Sequence, residues 1–436
     1  MVDTFGEIST LDTVLERHQL EARLWAQDNY PDWVAGISES SGGEIFSRSG
    51  MFVVGNSGGD HDIEKLATMR REMARYEVAH DDIAPRDVPG LKPNTHFQAF
   101  DAMYLPTALT VDAADLVASL RKLIEQNDRC VWIKESVVAV TPATGEKRWT
   151  TTLDSGASID SDELVIAAGA ATKSVLGERL WAEAELPPLY FGRGASCVVS
   201  GGVPLEHAIR TPNRALACGI HLVPRAGGAT YLGATNLFGT DHRRAGRGAT
   251  VGELHTLLGA ISAQLNTRLR NVCVEKVHWG LRPVTAHDHP IAGRTTIPGL
   301  SIVTGTHRTG VHLAPYLSKL VVAELLKTDD FVPVNNFAPA VTQNIAARKK
   351  DISLGMRSLL ATALYPDGTM PYNRSQEVEV FMAELFRLAT AKNADDQLRH
   401  QISELVENID LDEQMMMRIF HEVLAARIPE EGPYVM

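Results

Sequence analysis

The sequence runs to 436 residues, is 44% hydrophobic and carries a formal net charge of −12. That length accommodates about two to three domains with sizeable cores, and so acidic a balance excludes the electrostatic footprint of a nucleic-acid binder or of a protein resting on an anionic membrane. No signal peptide and no bilayer-long apolar run is present, and the four cysteines, Cys130, Cys197, Cys218 and Cys273, form no CxxC pair, so they read as buried thiols of a cytoplasmic protein in a reducing compartment.

In chain order, the opening segment predicts an amphipathic helix with Leu11, Leu15, Ala22 and Trp25 on one side. Met51 to Val54 predicts a strand running into Gly55-Asn56-Ser57-Gly58-Gly59. This is a G-x-S-x-G layout compatible with a nucleophile elbow, and the plain alternative is a strand-to-helix turn capped by Asp60 or Asp62. Tyr104-Leu105-Pro106 through Val111 leads into a helix with Asp112 as N-cap and Leu116, Leu120, Leu123 and Ile124 as its apolar stripe. The apolar run Cys130 to Val140 reads as a buried strand. Asp162 to Ala170 reads as a strand and a turn of small residues that permits close backbone approach. His221 to Arg225, a Gly227-Gly228 turn and Tyr231 to Thr235 predict a hairpin. Gly246-Arg247-Gly248 with Gly252 follows the polar Asp241-His242-Arg243-Arg244 run rather than an apolar strand, and Thr250 with Glu253 forms a capping box for the next helix. That stretch is therefore rejected as a nucleotide site.

The stretch Trp279 to Tyr316 carries the most chemistry. Gly280-Leu281-Arg282-Pro283 predicts a turn, followed by a strand, a glycine-bracketed loop from Gly305 to Gly310 and a helix from near Leu313. Glycine-flanked loops and helix N-termini present backbone N–H groups to electron-rich ligands. Arg282 and Arg308 bracket the segment, and a guanidinium grips a carboxylate bidentately. Together they predict an anionic small molecule held beside an electron-rich ring, against the plain alternative of two surface arginines on any strand–loop–helix. His287-Asp288-His289 lacks a third metal ligand by spacing, and His421-Glu422 lacks the second histidine of a zinc-binding helix, so no metal is expected. Beyond Pro339, Pro366-Asp367-Gly368 and Pro371 mark a break. Ser375 to Arg427 is then helical by period, with a Met415-Met416-Met417 run, and reads as a packing or oligomerisation segment.

The ordered set Gly280, Arg282, Pro283, Asp288, Pro290, Gly293, Pro298, Gly299, Leu300, Gly305, Gly310, Leu313, Ala314 and Pro315 resembles the C-terminal signature of the D-amino acid oxidase superfamily of flavoenzymes, within it the glycine oxidase branch. The resemblance covers about residues 5 to 340. It implies a mixed α/β fold (α+β mixed): an incomplete FAD-binding Rossmann domain, an antiparallel-sheet substrate domain and a C-terminal helical extension. Residues 1–100 would hold the flavin-side loop and substrate-domain elements, 101–185 part of the FAD domain, 186–278 the substrate domain, 279–340 the rest of the FAD domain with the ring loop, and 345–436 the extension. By the same resemblance Arg282 clamps the substrate carboxylate, and Arg308, His221 and Asn236 complete the substrate side. Gly280, Gly305, Thr306, His307, Thr309, Gly310, Val311 and His312 lie along the flavin ring. Val137 meets the adenine side, Ala168 and Gly169 pass near the pyrophosphate, and Phe5 and Gly6 form the flavin-side loop. No cysteine stands in Gly280 to Pro283, so the covalent flavin linkage of the sarcosine oxidase branch is not expected.

Two departures bear on substrate. His221 stands where the branch often has an aromatic residue, and Asn236 where it has methionine. Either this pair suits a substrate with extra hydrogen-bonding groups, or the register is shifted and neither lines the pocket. The expected reaction is FAD-dependent oxidation of the C–N bond of a small amino acid or N-substituted amino acid to an imine and then an oxo acid, with O2 giving peroxide. A larger departure is the lack of the GxGxxG βαβ unit with which the family opens. A second chain supplying it, a misplaced or truncated start, and loss of FAD binding all stay open, the first being favoured together with an oligomer. The rival classes are a non-catalytic scaffold or regulatory subunit and, on the Gly55 to Gly59 stretch, a serine hydrolase.

Overall fold

The structure, a computed structural model, describes residues 1–6, 14–57, 62–143, 148–201, 204–213, 219–239, 248–285, 288–328, 331 and 334–341. The expected C-terminal extension, with its methionine run, lies outside the described residues, as do Leu11, Asp60, Cys218, the Gly246-Arg247 dipeptide and His287.

Among the described residues the elements run α1 (Val14–Ser41), β1 (Ser47–Asn56), α2 (Asp62–Arg75), β2 (Asp81–Asp82), β3 (Ala99–Val111), α3 (Ala113–Gln126), β4 (Val137–Pro142), β5 (Trp149–Leu153), β6 (Ser158–Ser161) and β7 (Leu164–Ile166). They continue with α4 (Thr172–Leu176), α5 (Glu178–Glu183), β8 (Leu189–Ser200), β9 (Ala208–Arg210), β10 (His221–Pro224), β11 (Thr230–Gly233), β12 (Leu237–Gly239), α6 (Val251–Gln264), β13 (Cys273–Thr285), β14 (Ile291–Arg294), β15 (Leu300–Thr304) and α7 (Gly310–Leu326).

A large sheet runs β12-β8-β11-β10-β9-β1-β3-β2, with β13 paired antiparallel along the other edge of β8 from Cys273 opposite Ser200 to Thr285 opposite Leu189. Strand β1 is apolar at consecutive positions because both of its faces are covered. Met51 and Val53 pack on Leu66, Met69 and Met73 of α2, while Phe52 and Val54 pack on Leu257, Ile261 and Leu265 at α6. Side chains alternate between the two faces of a strand, and each such aliphatic contributes about 1.5–3 kcal/mol by burial. A small sheet β14-β15-β7 packs Leu300 and Ile302 on Trp149, Leu180 and Trp181, and carries α7 through Leu313, Leu317 and Leu320 against Ala292. Strands β4, β5 and β6 form a third, antiparallel sheet.

Several local expectations hold. Asp112 Oδ1 accepts from the Ala114 amide as the cap of α3. The hairpin pairs His221 with Gly233 and Val223 with Tyr231. The Thr250–Glu253 capping box opens α6. Others are corrected. Gly280 to Pro283 is not a turn but part of the long strand β13, and α7 begins at Gly310 rather than near Leu313. The run from Cys130 is not a buried strand. Pairing starts only at Val137, and Val131, Trp132 and Ile133 are 84%, 46% and 41% exposed. Of the thiols, Cys197 is buried, its pKa raised to about 11 by desolvation, whereas Cys130 and Cys273 are exposed. Strand β7 pairs parallel with β15 on one side, and no described strand pairs its other side.

Candidate active site

The site forms where β8, β13, the end of β11 and the loop before α7 meet. Arg282 lies on β13 opposite Gly192 of β8. Its Nη1 donates to the Thr235 carbonyl (3.1 Å) and to Asn236 Oδ1 (3.2 Å), just past β11. Two bare positions on β8 make that possible. A Cβ on Gly194 would stand 2.0 Å from Arg282 Nη1, and one on Gly192 would stand 2.2 Å from Asn236 Oδ1. Between them Arg193 reaches Glu253 of α6 at 3.2 Å, in a largely buried ion pair.

The loop before α7 closes on the same residues. Gly305 (φ 70°) takes a left-handed conformation with Thr285 Cγ2 2.6 Å from where its Cβ would lie. Thr306 bridges Val284, and the His307 amide donates to the Pro283 carbonyl at 2.7 Å, so the loop is bound to the end of β13. His307 then lies between two partners: Nε2 is 3.2 Å from Asn236 Nδ2, and Nδ1 is 2.9 Å from Asp288 Oδ1. Both His307 (φ 45°) and Asp288 (φ 50°) adopt left-handed backbone conformations that are uncommon for residues with side chains. Burial holds the His307 pKa below the ordinary histidine value. The Arg308 and Arg282 charges act the same way, and Asp288 opposes them.

The remaining candidates divide. His221 is buried on β10, stacks on Tyr231 and hydrogen-bonds through Nδ1 with the Gly219 carbonyl. Its Nε2 lies 2.1 Å from where a Gly233 Cβ would stand. This ring therefore lies against Gly233 of the neighbouring strand, three residues before Asn236. Gly169 (φ 57°) joins the ring loop through its carbonyl, which accepts from Thr304 Oγ1 at 3.0 Å. Ala168 beside it is exposed. Thr309 ends the loop, its hydroxyl donating to the Thr306 carbonyl. The first turn of α7 is held from behind by α1: Tyr30 donates to the Val311 carbonyl (2.9 Å), and His312 Nε2 meets the Arg23 carbonyl (2.9 Å). The His312 side chain is thus turned toward α1. Phe5 belongs to the core under α2, and Gly6 donates to Asp3 Oδ1 next to the buried Asp3–Arg210 pair. Val137 starts β4, in the separate β4-β5-β6 sheet. Ser57 Oγ donates to the His96 carbonyl at 2.7 Å, so the hydroxyl of the G-x-S-x-G stretch is spent on backbone and not on a base.

Sequence reasoning missed Gly192, Gly194 and the joining role of Asp288. The Gly192-Arg193-Gly194 alternation was the available signal, since small residues two apart on a strand leave one face bare. The geometry suits a flat, electron-rich cofactor ring. Added Cβ atoms at Gly169 and Gly280 would meet nothing within 4 Å, and the leading N–H groups of a helix such as α7 have no partner within it. Among the described residues no His, Cys, Asp and Glu group could hold a metal, and no helix is long and apolar enough to cross a membrane.

Comparison with known proteins identifies relatives of the sequence and of the fold. Glycine oxidase of Geobacillus kaustophilus (strain HTA426) is 28% identical over 233 residues, 52% of this chain and 56% of that protein. The bifunctional protein ThiO/ThiG of Nostoc sp. (strain PCC 7120 / SAG 25.82 / UTEX 2576) is 34% identical over 105 residues, 23% of this chain and 15% of its own length. The chain thus spans about half the length, or less, of these curated relatives. Among solved structures, the crystal structure of glycine oxidase from Geobacillus kaustophilus superposes with a TM-score of 0.65 at 20% identity, over 77% of this chain and 85% of that one. That of iminodiacetate oxidase from Chelativorans sp. BNC1 gives 0.62 at 18%, over 78% and 87%. The family described as FAD dependent oxidoreductase matches residues 6–324. With that span of sequence and this fold, the chain belongs to the FAD dependent oxidoreductase family.

Proposed function

We propose that the chain oxidises the C–N bond of a small amino acid or N-substituted amino acid, with Arg282 holding the substrate carboxylate. The observation that carries this reading is the cradle of Arg282: a guanidinium fixed through Nη1 by Thr235 and Asn236, with Gly194 and Gly192 making room for the guanidinium and the amide. Bound FAD would supply the acceptor for the two electrons and the hydrogen leaving the substrate. The chain's own part is to bind, orient and desolvate. A bidentate guanidinium–carboxylate pair fixes both the position and the rotation of an α-amino acid, and orientation of this kind can carry much of a rate enhancement. The imine so formed would hydrolyse to an oxo acid, with O2 as terminal acceptor and peroxide as product. A glycine oxidase and an iminodiacetate oxidase among similar proteins support the substrate class.

Residues 305–313 serve the ring side of the cofactor, and Ala168-Gly169 pass near its pyrophosphate. The nucleotide side would come from a strand–turn–helix unit seated against the free edge of β7. Val165 there is 41% exposed, and the apolar Val131-Trp132-Ile133 segment is exposed too. A second chain is the carrier we favour.

Arg282→Ala tests the reading. Losing a charge-assisted pair should lower kcat/KM toward carboxylate substrates by about 2–5 kcal/mol, while flavin content stays near that of the wild type. Wild-type kcat/KM in the variant removes Arg282 from the role. A preparation that shows no flavin spectrum even with its partner chain and added FAD turns the reading toward a non-catalytic scaffold.

A further inference from the structure

We propose that Asp288 and His307 are positioning residues that set the carboxylate clamp: His307, held by Asp288, orients Asn236, and Asn236 orients Arg282. The proposal rests on the reading of Arg282 above and names the device that regulates it. Three contacts form one line, Asp288 Oδ1 to His307 Nδ1 at 2.9 Å, His307 Nε2 to Asn236 Nδ2 at 3.2 Å, and Asn236 Oδ1 to Arg282 Nη1 at 3.2 Å.

Donor and acceptor roles along this line are fixed from both ends. A guanidinium can only donate, so the Asn236 oxygen faces Arg282 and its amide nitrogen faces His307. An amide nitrogen can only donate, so His307 Nε2 must accept and carry no proton. The proton of the neutral ring is then on Nδ1, where it is donated to Asp288. No other assignment satisfies all three contacts. Both His307 and Asp288 have left-handed backbone, and each is also held by its amide, His307 to the Pro283 carbonyl (2.7 Å) and Asp288 to the Thr285 carbonyl (2.9 Å), so the side-chain contact joins two anchored loops.

The line makes the clamp sensitive to one proton. Protonating His307 puts a second N–H on Nε2, pointing at the Asn236 amide. Asn236 must then turn its oxygen to His307 and its nitrogen to Arg282, and Arg282 loses an acceptor and gains a facing donor. The charged groups around the ring are Asp288 from the loop after β13, Arg282 from β13 and Arg308 from its own loop. Burial and the two arginines oppose the proton and Asp288 favours it, with the balance toward the neutral ring. Carboxylate binding should therefore be full at neutral pH and fall on the acid side, below the ordinary histidine range.

The experiment uses the flavin-loaded protein with acetate anion as the probe, its concentration corrected for protonation, read by the flavin absorption spectrum from about pH 4 to pH 8, a span that reaches below the range over which histidines ordinarily titrate. Ring-nitrogen NMR of 15N-histidine protein, with His307 assigned by its loss in His307→Gln, reads the tautomer without needing flavin or turnover. The wild type is expected to show Nδ1–H and to bind acetate more weakly on the acid side. Asp288→Ala, which removes the acceptor of the Nδ1 proton and leaves Asn236 and Arg282 in place, is expected to free the ring at one end and to weaken acetate about tenfold, which is 1.4 kcal/mol. In turnover this would be a raised KM with kcat much less changed. Glutamine offers an acceptor and a donor but cannot be protonated in this range, so His307→Gln is expected to keep near wild-type affinity and to lose the acid-side fall. A wild-type His307 that carries its proton on Nε2, unchanged acetate affinity in Asp288→Ala, or an unaltered pH profile in His307→Gln overturns the positioning line alone. Equal acetate binding by the wild type and Arg282→Ala overturns the clamp itself and, with it, what the line positions.

Discussion

At the scale of single residues, the site depends as much on missing side chains as on present ones. Gly194→Ala would place a methyl 2.0 Å from Arg282 Nη1, so the guanidinium must move off Thr235 and Asn236. The expected outcome is a KM for carboxylate substrates raised about tenfold or more, with a loss of about 1–3 kcal/mol in stability from overpacking. Steady-state kinetics and urea unfolding measure the two effects separately, and an unchanged KM would show that Arg282 has another place to go. This dependence explains what was legible beforehand. Arg282 stands out because it lies in the Gly280-Leu281-Arg282-Pro283 run that carries the family resemblance. Gly194 does not, because the cost of a Cβ at that position appears only once β8 and β13 are in register. The pairing of Asp288 with His307 was hidden for the same reason, as it bridges two loops that β13, β14 and β15 bring together.

At the scale of elements, α6 steadies the site from behind. Its capping box satisfies two N-terminal amides, those of Thr250 and Glu253, and the same Glu253 carboxylate pairs with Arg193 between the two glycines of β8. Thr250→Ala is expected to cost about 1 kcal/mol, the usual loss of a side-chain N-cap, read as a lower urea midpoint at unchanged slope. A smaller loss would mean that Glu253 alone holds the helix start. Such caps were legible in the sequence because they are local, spanning three or four residues. Asp112 shows the limit of locality. Its role as the cap of α3 follows from its neighbours, but its second role, an ion pair with Arg225 at the hairpin end, joins positions 112 and 225 and follows only from the fold. The Cys130 to Val140 run failed for a related reason. Apolar sequence predicts a wish to be buried, while burial itself needs a neighbour.

At the scale of the whole molecule, that same run becomes informative. Val131, Trp132 and Ile133 stand exposed without strand pairing, and β7 leaves an edge open among the described residues. Contiguous exposed apolar surface of this kind marks a contact site, and an open strand edge invites another strand. Changing Val131 and Trp132 together to Ser is expected to leave the melting temperature of the isolated chain almost unchanged while lowering its assembled mass in sedimentation velocity and its retention of FAD. An unaltered mass and cofactor content would place the contact elsewhere. The clasp between α1 and α7 has a different reach. Tyr30 and His312 each join a side chain of one helix to a backbone carbonyl of the other, at the first turn of α7. Linkage is reciprocal: a ligand that draws the α7 N-terminus inward must also tighten or loosen α1. Helix α1 can thus serve as a mechanical reporter of events at the start of α7, and a partner gripping its exposed side would hold a lever on them.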